Sequence, residues 1–266
     1  MDNQQHQFKP NNQQPQPELR LNKFLAERLG VSRREADEAI SAGKVTINGE
    51  KAILGARINR ENIDKNLKVC YNGKIVPFET VFLYLAFNKP VGYVCSRRAQ
   101  GSAPTIYESI PKKYQHLKTV GRLDKDSSGL ILLTNDGDFA FKMTHPKFRK
   151  NKVYEVELDR PLEPLHQQMI TDYGIALDDG PSRFKIIKKL EELPFEDRKL
   201  GRAPSSVSEK GNSQASYIVI LSEGRNRQIR RTFAALGYQV TKLHRTNFGK
   251  YELGNLEPGK YAIIKP

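Results

Sequence analysis

Residues Val120 to Gly137 read VGRLDKDSSGLILLTNDG, and this stretch decides how the rest of the chain is interpreted. The four apolar residues from Leu130 to Leu133 are bounded by turn signals on both sides, which indicates a buried strand. Asp124 comes shortly before that strand, where an ionised carboxylate is unfavourable unless a cation meets it. Asp124 therefore either closes a turn, the commonest role of Asp beside Gly and Ser, or has a cationic partner and a function.

The string as a whole favours a function for Asp124. It contains Gly121 to Asp124, then Ser128 to Leu130, then Leu133 to Gly137, in that order. Together these segments resemble the GRLDxx(S/T)xGLLLLTNDG signature of the ribosomal pseudouridine synthases typified by RsuA and RluB. The resemblance implies that Asp124 is the catalytic residue. We place Arg122, two residues earlier, in the substrate pocket.

Composition narrows the class of protein. At 266 residues and 38% apolar, the chain can bury a core and has room for one large domain and one small one. Its 44 Lys and Arg against 30 Asp and Glu give a formal charge of +14, which is typical of proteins that bind polyanions. No apolar stretch approaches the length of a membrane span, so nucleic acid is a better partner than a membrane. Cys70 and Cys95 lack metal-ligand spacing and fit a reducing cytoplasm.

The first third of the chain predicts a tail and a small domain. Residues 1–17 are mostly Gln, Asn and Pro, which predicts a disordered tail. Residues 18–76 predict two short helices followed by turn-rich strands, and residues 77–81 a linker. Ser32 and Glu35 are spaced as a capping box at the start of the second helix. Asn48-Gly49 and Asn72-Gly73 are typical of hairpin turns.

Basic residues crowd this small domain. The order SRREADEAISAGKVTINGE, residues 32–50, is similar to the alpha-L RNA-binding motif named for the small-subunit ribosomal protein S4. Exposed charges on helices ordinarily indicate no more than a solvated face. The resemblance implies instead that Arg33, Arg34 and Lys44 meet phosphates and supply salt-sensitive affinity that depends little on sequence.

Residues 82–266 are interpreted as the catalytic domain. Strands are predicted over 82–87, 152–158, 184–187 and 215–221, and helices over 138–143 and 161–176. Residues 88–92, NKPVG, match a segment that the family also has. We assign this segment a structural role and no part in the chemistry. Residues 191–214 are polar and contain Pro and Ser, which predicts an exposed, mobile insertion.

In the strand over 152–158, Tyr154 falls on the same face as the apolar Val156 and Leu158. A Tyr in such a place ordinarily fills the core. The K-x-Y pattern of Lys152-Val153-Tyr154 matches the family, and this implies that Tyr154 lies against the target base, where it could take part in proton transfer.

A basic run, EGRNRQIRR, occupies residues 223–231 and opens a helix. Cations at a helix N-terminus are electrostatically unfavourable, which favours an anion site there. The run resembles the EGxx(H/R)Q(I/V)RR segment of the family. That implies that Arg230 pairs with Asp124 and supplies the cation it requires. Leu243, downstream, is then expected to form an apolar wall of the uridine pocket.

Two other arginines of this run, Arg225 and Arg227, are assigned to RNA binding. Arg227 stands where some family members have His, so no His acid or base enters the interpretation at that position. For Arg225 and Arg231 a solvated basic patch remains an alternative.

The sequence thus predicts an α+β protein. Its catalytic domain is expected to have a mixed, mostly antiparallel sheet, preceded by a small N-terminal α/β RNA-binding domain. The resemblance implies isomerisation of a specific uridine in ribosomal RNA to pseudouridine without metal or other cofactor, by a cytoplasmic monomer. Asp179-Gly180-Pro181 and Gly224 to Arg227 are most similar to large-subunit enzymes of the RluB type.

Two alternatives stay open at this point. One is a non-catalytic assembly factor that binds ribosomal RNA through the same basic surfaces. The other is a metal-dependent phosphodiesterase that uses Asp124, Asp126 and Asp136, although these carboxylates lack accompanying His ligands and Lys125 would oppose a bound cation.

Overall fold

The computed structural model describes residues 18–59, 67–97, 101–184, 186–189 and 215–266. The tail expected over 1–17 and the insertion expected over 191–214 lie outside these residues. The chain divides into two compact units, and the division falls between Val81 and Phe82.

The first unit combines two helices with short antiparallel strands. Its elements in chain order are β1 (Glu18–Arg20), α1 (Leu21–Leu29), α2 (Arg33–Ser41), β2 (Val45–Ile47), β3 (Glu50–Lys51), β4 (Arg57–Asn59), β5 (Val69–Tyr71) and β6 (Lys74–Ile75). β1 pairs with β4, and the other four strands form a sheet in the order β3-β2-β5-β6.

Local chemistry explains where these elements begin and turn. The Ser32 hydroxyl accepts from the Glu35 amide while the Glu35 carboxylate accepts from the Ser32 amide, which confirms the capping box at the start of α2. Asn48 and Asn72 adopt left-handed φ values of 51° and 48°, which confirms the two hairpin turns. The core of the unit comes from both helices and the strands they cover, including Leu21, Phe24, Leu25, Ile40, Val45 and Val69.

The second unit is built on a nine-stranded sheet. In the described residues this unit has nine strands in that sheet and two in a separate hairpin, and in chain order they are β7 (Tyr84–Lys89), β8 (Lys118–Val120), β9 (Ser128–Thr134), β10 (Lys152–Leu158), β11 (Ile175–Leu177), β12 (Gly180–Ser182), β13 (Ile186–Lys189), β14 (Ala215–Leu221), β15 (Val240–Phe248), β16 (Tyr251–Glu252) and β17 (Tyr261–Ile263). The sheet order is β13-β14-β10-β15-β9-β7-β17, with β16 beside β15 and β8 beside β9, while β11 and β12 form a separate hairpin. Only the β9–β15 pairing is parallel among the described strands, so the mixed, mostly antiparallel α+β class is confirmed.

Helices of the second unit are short. They are α3 (Gly137–Thr144), α4 (Pro164–Gln168), a π-helical turn (Met169–Tyr173), α5 (Gln228–Ala235) and three 3-10 turns, at Ile106–Ser109, Lys112–Tyr114 and Pro146–Phe148. The single helix predicted over 161–176 is wrong in extent. It ends at Gly174, whose φ of 81° favours glycine, and the chain then enters β11.

Two predicted strands also differ from the structure. The strand predicted over 184–187 begins two residues later, because Phe184 is instead packed in the core against the ring of Phe233. The strand predicted from residue 82 begins at Tyr84 and, from Leu85 onward, is buried on both faces rather than alternating. A strand in the middle of a covered sheet has no solvent face, so its sequence carries no alternation.

Strand β9 is likewise buried on both faces, as its apolar run predicted. Leu130 and Leu132 pack under α3, and Ile131 and Leu133 belong to the larger core on the other side. The parallel pairing with β15 depends on Gly129. A Cβ there would lie 2.3 Å from the Arg245 carbonyl oxygen, and the φ of Gly129 is 102°. Only glycine allows the two backbones to approach this closely, and the approach brings the loop before β9 alongside β15.

Candidate active site at the mouth of strand β9

A short loop, residues 121–127, joins β8 to β9 and carries Asp124 and Asp126. The Ser127 amide donates to the Asp124 carbonyl oxygen at 3.1 Å, which closes a tight turn. The Asp124 side chain is 35% exposed. Its carboxylate is therefore reachable from solvent while its backbone is fixed.

A buried lysine holds this loop from beneath. Lys89 is fully buried, and its ammonium donates to the carbonyl oxygens of Ser127 at 2.5 Å, Pro90 at 3.0 Å and Lys125 at 3.4 Å. The Gly92 amide also donates to the Lys125 carbonyl, at 2.7 Å. Burial lowers the pKa of Lys89 to about 8.

The NKPVG segment is therefore structural, as the sequence indicated, but it acts on the candidate catalytic loop itself. Lys89 is a positioning residue that sequence reasoning missed. The available signal was a lysine that ends an otherwise buried strand, because a buried ammonium needs acceptors and a loop rich in backbone carbonyls supplies them.

Two arginines meet the carboxylates of the loop. Arg227 binds Asp126 through two hydrogen bonds of 2.9 Å and lies 3.8 Å from an oxygen of Asp124. The Nε of Arg230 lies 3.2 Å from Asp126, and its two terminal nitrogens donate to the carbonyl oxygens of Val240 and Asp126. The predicted pairing of Arg230 with Asp124 is therefore wrong in its partner.

The start of helix α5 explains why Arg227, and not Arg230, lies beside Asp124. Helix α5 starts at Gln228, and Arg227 precedes it with a left-handed φ of 46°, which points its side chain at the loop. Arg230 lies within the first turn of α5 and is tied to the start of β15 through Val240. A non-glycine residue with positive φ is strained, and such strain persists where the surroundings fix it, as at functional sites.

The two arginines stabilise the ionised form of Asp126. Hydrogen bonds from Arg227 and the charge of Arg230 lower the pKa of Asp126, whereas burial lowers the pKa of Arg230. Asp126 is thus fully engaged by both guanidinium groups. Within the described part of the chain, the Asp124 carboxylate has one ion pair within 4 Å, the longer contact to Arg227. The charges of Lys89 and Arg230 act on it from farther away. Its partial exposure leaves it accessible to a substrate.

Tyr154 and Leu243 form an apolar wall on neighbouring strands. Tyr154, Val156 and Leu158 are the buried residues of β10, which confirms the predicted face. Leu243 lies opposite Val156 on β15 and is 7% exposed. Both wall residues share one core cluster with Leu123, the neighbour of Asp124. The Tyr154 hydroxyl has no hydrogen-bond partner among the residues that the structure describes, so it is free to bind a ligand.

The side chain of Arg225 is turned inward and is only 19% exposed. Its guanidinium donates to the carbonyl oxygens of Asp179, Gly180 and Pro181 and to the Asp179 carboxylate. Arg231 holds the same carboxylate at 2.7 Å. These contacts fix the β11–β12 hairpin against the start of α5, and the RNA contact of Arg225 stays a prediction. Arg122, by contrast, is exposed.

In the first unit, Arg33 and Arg34 occupy the first turn of α2, and both are exposed, as is Lys44. Arg33 donates to the side-chain oxygen of Asn22 at 3.3 Å. The amide groups at a helix N-terminus carry partial positive charge, which adds to that of the two arginines. The capping box places the Glu35 carboxylate at the same helix end, so the exposed side chains of Arg33, Arg34 and Lys44 are the groups that could meet a phosphate.

Asp136, the third carboxylate of the phosphodiesterase alternative, lies far from Asp124 and Asp126. Asp126 precedes β9 and Asp136 follows it, so a seven-residue strand, roughly 20 Å long, separates them. Asp136 caps α3 and accepts a hydrogen bond from Tyr84 at 2.8 Å. Across the described ranges, no three His, Cys, Asp or Glu side chains are grouped to hold a metal ion.

The helices described here include none long and apolar enough to cross a bilayer.

Comparison with known proteins gives one consistent family. The family model for RNA pseudouridylate synthase matches residues 83–235, and that for the S4 domain matches residues 19–60. The chain is 33% identical over 250 residues to a ribosomal small subunit pseudouridine synthase A from Pasteurella multocida, covering 92% of this chain and 96% of the relative.

Relatives of a second type match at the same identity. A ribosomal large subunit pseudouridine synthase B from Salmonella typhi is 33% identical over 241 residues, covering 88% of this chain and 75% of the relative. A solved structure described as a pseudouridylate synthase superposes with a TM-score of 0.60 at 31% identity, covering 93% of this chain and 96% of the other.

Proposed function

Because the chain belongs to the RNA pseudouridylate synthase family, we propose that it isomerises a specific uridine of ribosomal RNA to pseudouridine. The observation that carries the proposal is the placement of Asp124. This carboxylate is partly exposed at the mouth of β9, the backbone of its loop is held by Lys89, and its one described ion pair within 4 Å is the 3.8 Å contact with Arg227. A reactive group must be accessible yet held in place, and Asp124 meets both conditions.

The reaction rearranges bonds within one nucleotide. The bond from N1 of uracil to C1′ of ribose breaks, the base turns, and a bond from C5 to C1′ forms. The proton on C5 leaves and N1 gains one, so there is no net redox change or hydrolysis. In the proposal Asp124 acts on the ribose or the base, either as nucleophile or as proton abstractor.

Other residues serve the same step. Tyr154 packs on the extruded base with its free hydroxyl, and Leu243 bounds the pocket on the neighbouring strand. Arg227 and Arg230 keep Asp126 ionised and so hold the loop in place, with Arg227 also lying near Asp124. Arg122, exposed two residues before Asp124, contacts the substrate backbone.

We further propose that residues 18–76 form the RNA-docking domain and residues 82–266 the catalytic domain, joined by a linker over 77–81. The exposed cations Arg33, Arg34 and Lys44 support the docking role. We also propose that the protein acts as a monomer, and a ribosomal RNA substrate supports a cytoplasmic location.

For the target we propose large-subunit ribosomal RNA. The support is the contact of Arg225 with the Asp179-Gly180-Pro181 turn, because it joins the two segments that most resemble large-subunit enzymes. Mapping pseudouridine in both ribosomal RNAs, from cells with and without this gene, tests the proposal. Loss of one site in the large-subunit RNA is expected. Loss in the small-subunit RNA would correct the target, and no loss in either would contradict the function.

Activity is expected to survive removal of divalent metal. The motivation is the absence of a metal-ligand cluster in the sequence and the separation of the loop carboxylates from Asp136. The measurement is tritium release from C5-labelled uridine in a short rRNA stem-loop, with and without EDTA. The RNA is chosen to keep its fold in monovalent salt, as verified by its melting curve. Activity that EDTA abolishes and added metal restores would contradict the expectation.

Removing the cations of α2 is expected to weaken RNA binding and flatten its salt dependence. The log–log slope falls by about one unit for every phosphate that is no longer neutralised, so Arg33→Ala and Arg34→Ala should each show this change. Arg57→Ala serves as the control, since Arg57 is about half exposed but lies 3.7 Å from Glu18. Slopes are read from filter binding at matched salt concentrations. A slope that stays unchanged in the double variant would remove the docking role.

A further inference from the structure

A cluster of rings, exposed at Phe141 and His145 and half-buried at Phe148, lies at the C-terminal end of helix α3. Phe139, Ala140 and Met143 face the core from α3, whereas Phe141 points outward and is 46% exposed. The ring of Phe141 lies 4.6 Å from that of His145 and 5.8 Å from that of Phe148, measured between centroids. We call Phe141, His145 and Phe148 the ring cluster. Its rings belong to none of the hydrophobic cores of the described chain.

Cations surround the ring cluster. The ammonium of Lys147 lies 4.8 Å from the centroid of Phe148 and 5.4 Å from that of Phe141. Lys142, Lys147 and Arg149 are all exposed, and none forms an ion pair with a described residue. Unneutralised cations beside exposed rings complement a polyanion that also carries flat bases, which is the chemistry of single-stranded nucleic acid.

The fold places this cluster at the catalytic end of the sheet. Helix α3 follows β9 and runs back along it, so its last residue, Thr144, reaches the start of the Asp124 loop. The Thr144 methyl lies 3.6 Å from the position that a Cβ on Gly121 would take. The ring cluster begins at that same end of α3, and RNA that presents a uridine to Asp124 therefore passes close to it.

Resting on the proposed function, we propose that the ring cluster binds an unpaired base of the substrate RNA that flanks the target uridine, while Lys147 and Arg149 hold the adjoining phosphates. His145 keeps its ring in place because its Nδ1 accepts from the Lys147 amide at 3.3 Å. The Lys147 ammonium sits on a flexible stem and exchanges a ring face for a phosphate when a base stacks. The ligand is single-stranded, since a paired base offers no free face.

The test uses the full chain carrying Arg33→Ala and Arg34→Ala, which lowers the contribution of the first unit. In this background the double change Phe141→Leu and Phe148→Leu keeps apolar volume but removes two ring faces. Affinity for a labelled single-stranded oligouridylate is expected to fall about tenfold. Affinity for an abasic oligomer of equal length should not change, and the salt slope should stay the same because every cation is retained.

A matched control is Tyr173→Leu, since Tyr173 is 72% exposed and no cation–π contact is described for it. Affinity in this variant should equal that of the parent. Equal losses of affinity for base-bearing and abasic oligomers would overturn the proposal. An affinity that the double substitution leaves unchanged would also overturn it, and would indicate that the ring cluster binds a protein instead.

A second measurement needs no substitution. Oligomers carrying 5-iodouridine are irradiated with the wild-type chain, and the crosslinked peptide is mapped by mass spectrometry. Crosslinks at Phe141, His145 or Phe148 support the proposal, and crosslinks confined to other residues overturn it. Neither result depends on turnover. Failure to find pseudouridine in ribosomal RNA would instead contradict the proposed function alone.

Discussion

Replacing Asp124 with Asn is expected to lower turnover at least about a hundredfold while the fold and RNA affinity stay close to wild type. Asn is nearly isosteric, so the turn closed by the Ser127 amide and the Asp124 carbonyl persists. The amide side chain can neither attack carbon nor accept a proton as a carboxylate does. The loss should therefore appear in kcat and leave KM almost unchanged.

The surrounding contacts indicate that the variant remains stable. Arg227 and Arg230 both keep Asp126 as a partner, and Asp124 contributes only a 3.8 Å contact at a partly exposed position. Removing its charge leaves neither guanidinium unpaired, so the free energy of unfolding should change by less than about 1 kcal/mol.

A second carboxylate in the same loop provides the control. Asp126→Asn removes the same charge but strips Arg230, which is 13% exposed, of its only described carboxylate within 4 Å. Because the Asp126 carboxylate is itself 45% exposed, we expect this variant to lose about 1 to 2 kcal/mol of stability, mostly from the buried Arg230 left unpaired. Turnover is followed by tritium release from C5, and unfolding by urea titration. If Asp124→Asn were well folded and its turnover lay within tenfold of the wild-type value, the catalytic assignment of Asp124 would be wrong.

Residues with local signatures could be read from the sequence. The apolar run of β9, the capping box at Ser32 and the Asn-Gly turns each depend on neighbours in the chain, and the structure has them where they were predicted. The face of β10 that carries Tyr154 followed from the two-residue period of a strand.

Contacts between distant segments could not be read in the same way. The distribution of Arg227 and Arg230 over the two loop carboxylates depends on a left-handed residue before α5 and on the position of Val240. Arg225 turned inward because the β11–β12 hairpin offers it three carbonyl oxygens. Acceptors of this kind are backbone atoms, which every residue has, so no sequence pattern marks them.

Lys89 shows the same limit at the candidate site. Its type and position were visible in the NKPVG segment, but its three acceptors lie in two separate stretches of chain. Only the fold brings residues 125–127 over the end of β7. The sequence therefore indicates a candidate reactive carboxylate, Asp124, but not the lysine that holds its loop.

Replacing Lys89 with Met is expected to reduce turnover about a hundredfold, because a loop displaced by about 1 Å loses that much. Met nearly matches Lys in length but donates no hydrogen bond, so the carbonyl oxygens of Pro90, Lys125 and Ser127 lose their shared donor. Lys89 is fully buried and touches no substrate. The loss should therefore fall on kcat, with KM for the RNA little changed.

The pH dependence of stability and turnover shows whether Lys89 acts through its charge or only fills space. Its pKa of about 8 lies below the ordinary 10.5, so between these values the unfolded chain holds a proton that the folded chain has released. The free energy of unfolding therefore rises with pH across this window, because the burial penalty of the ammonium disappears. Turnover falls as pH rises through about 8, where the folded chain releases this proton, since a neutral amine has two N–H donors for three carbonyl oxygens. In Lys89→Met both dependences on this group should vanish.

A second buried lysine makes the comparison specific. Burial also lowers the pKa of Lys152 to about 8, yet its ammonium donates to one described carbonyl, that of Glu223 at 3.2 Å. Lys152→Met should remove part of the rise in stability between pH 8 and 10.5 and keep the fall in turnover. If Lys89→Met turned over near the wild-type rate, or kept the alkaline fall, the loop would not depend on this ammonium. A fall absent from Lys89→Met and present in Lys152→Met assigns the positioning of Asp124 to Lys89.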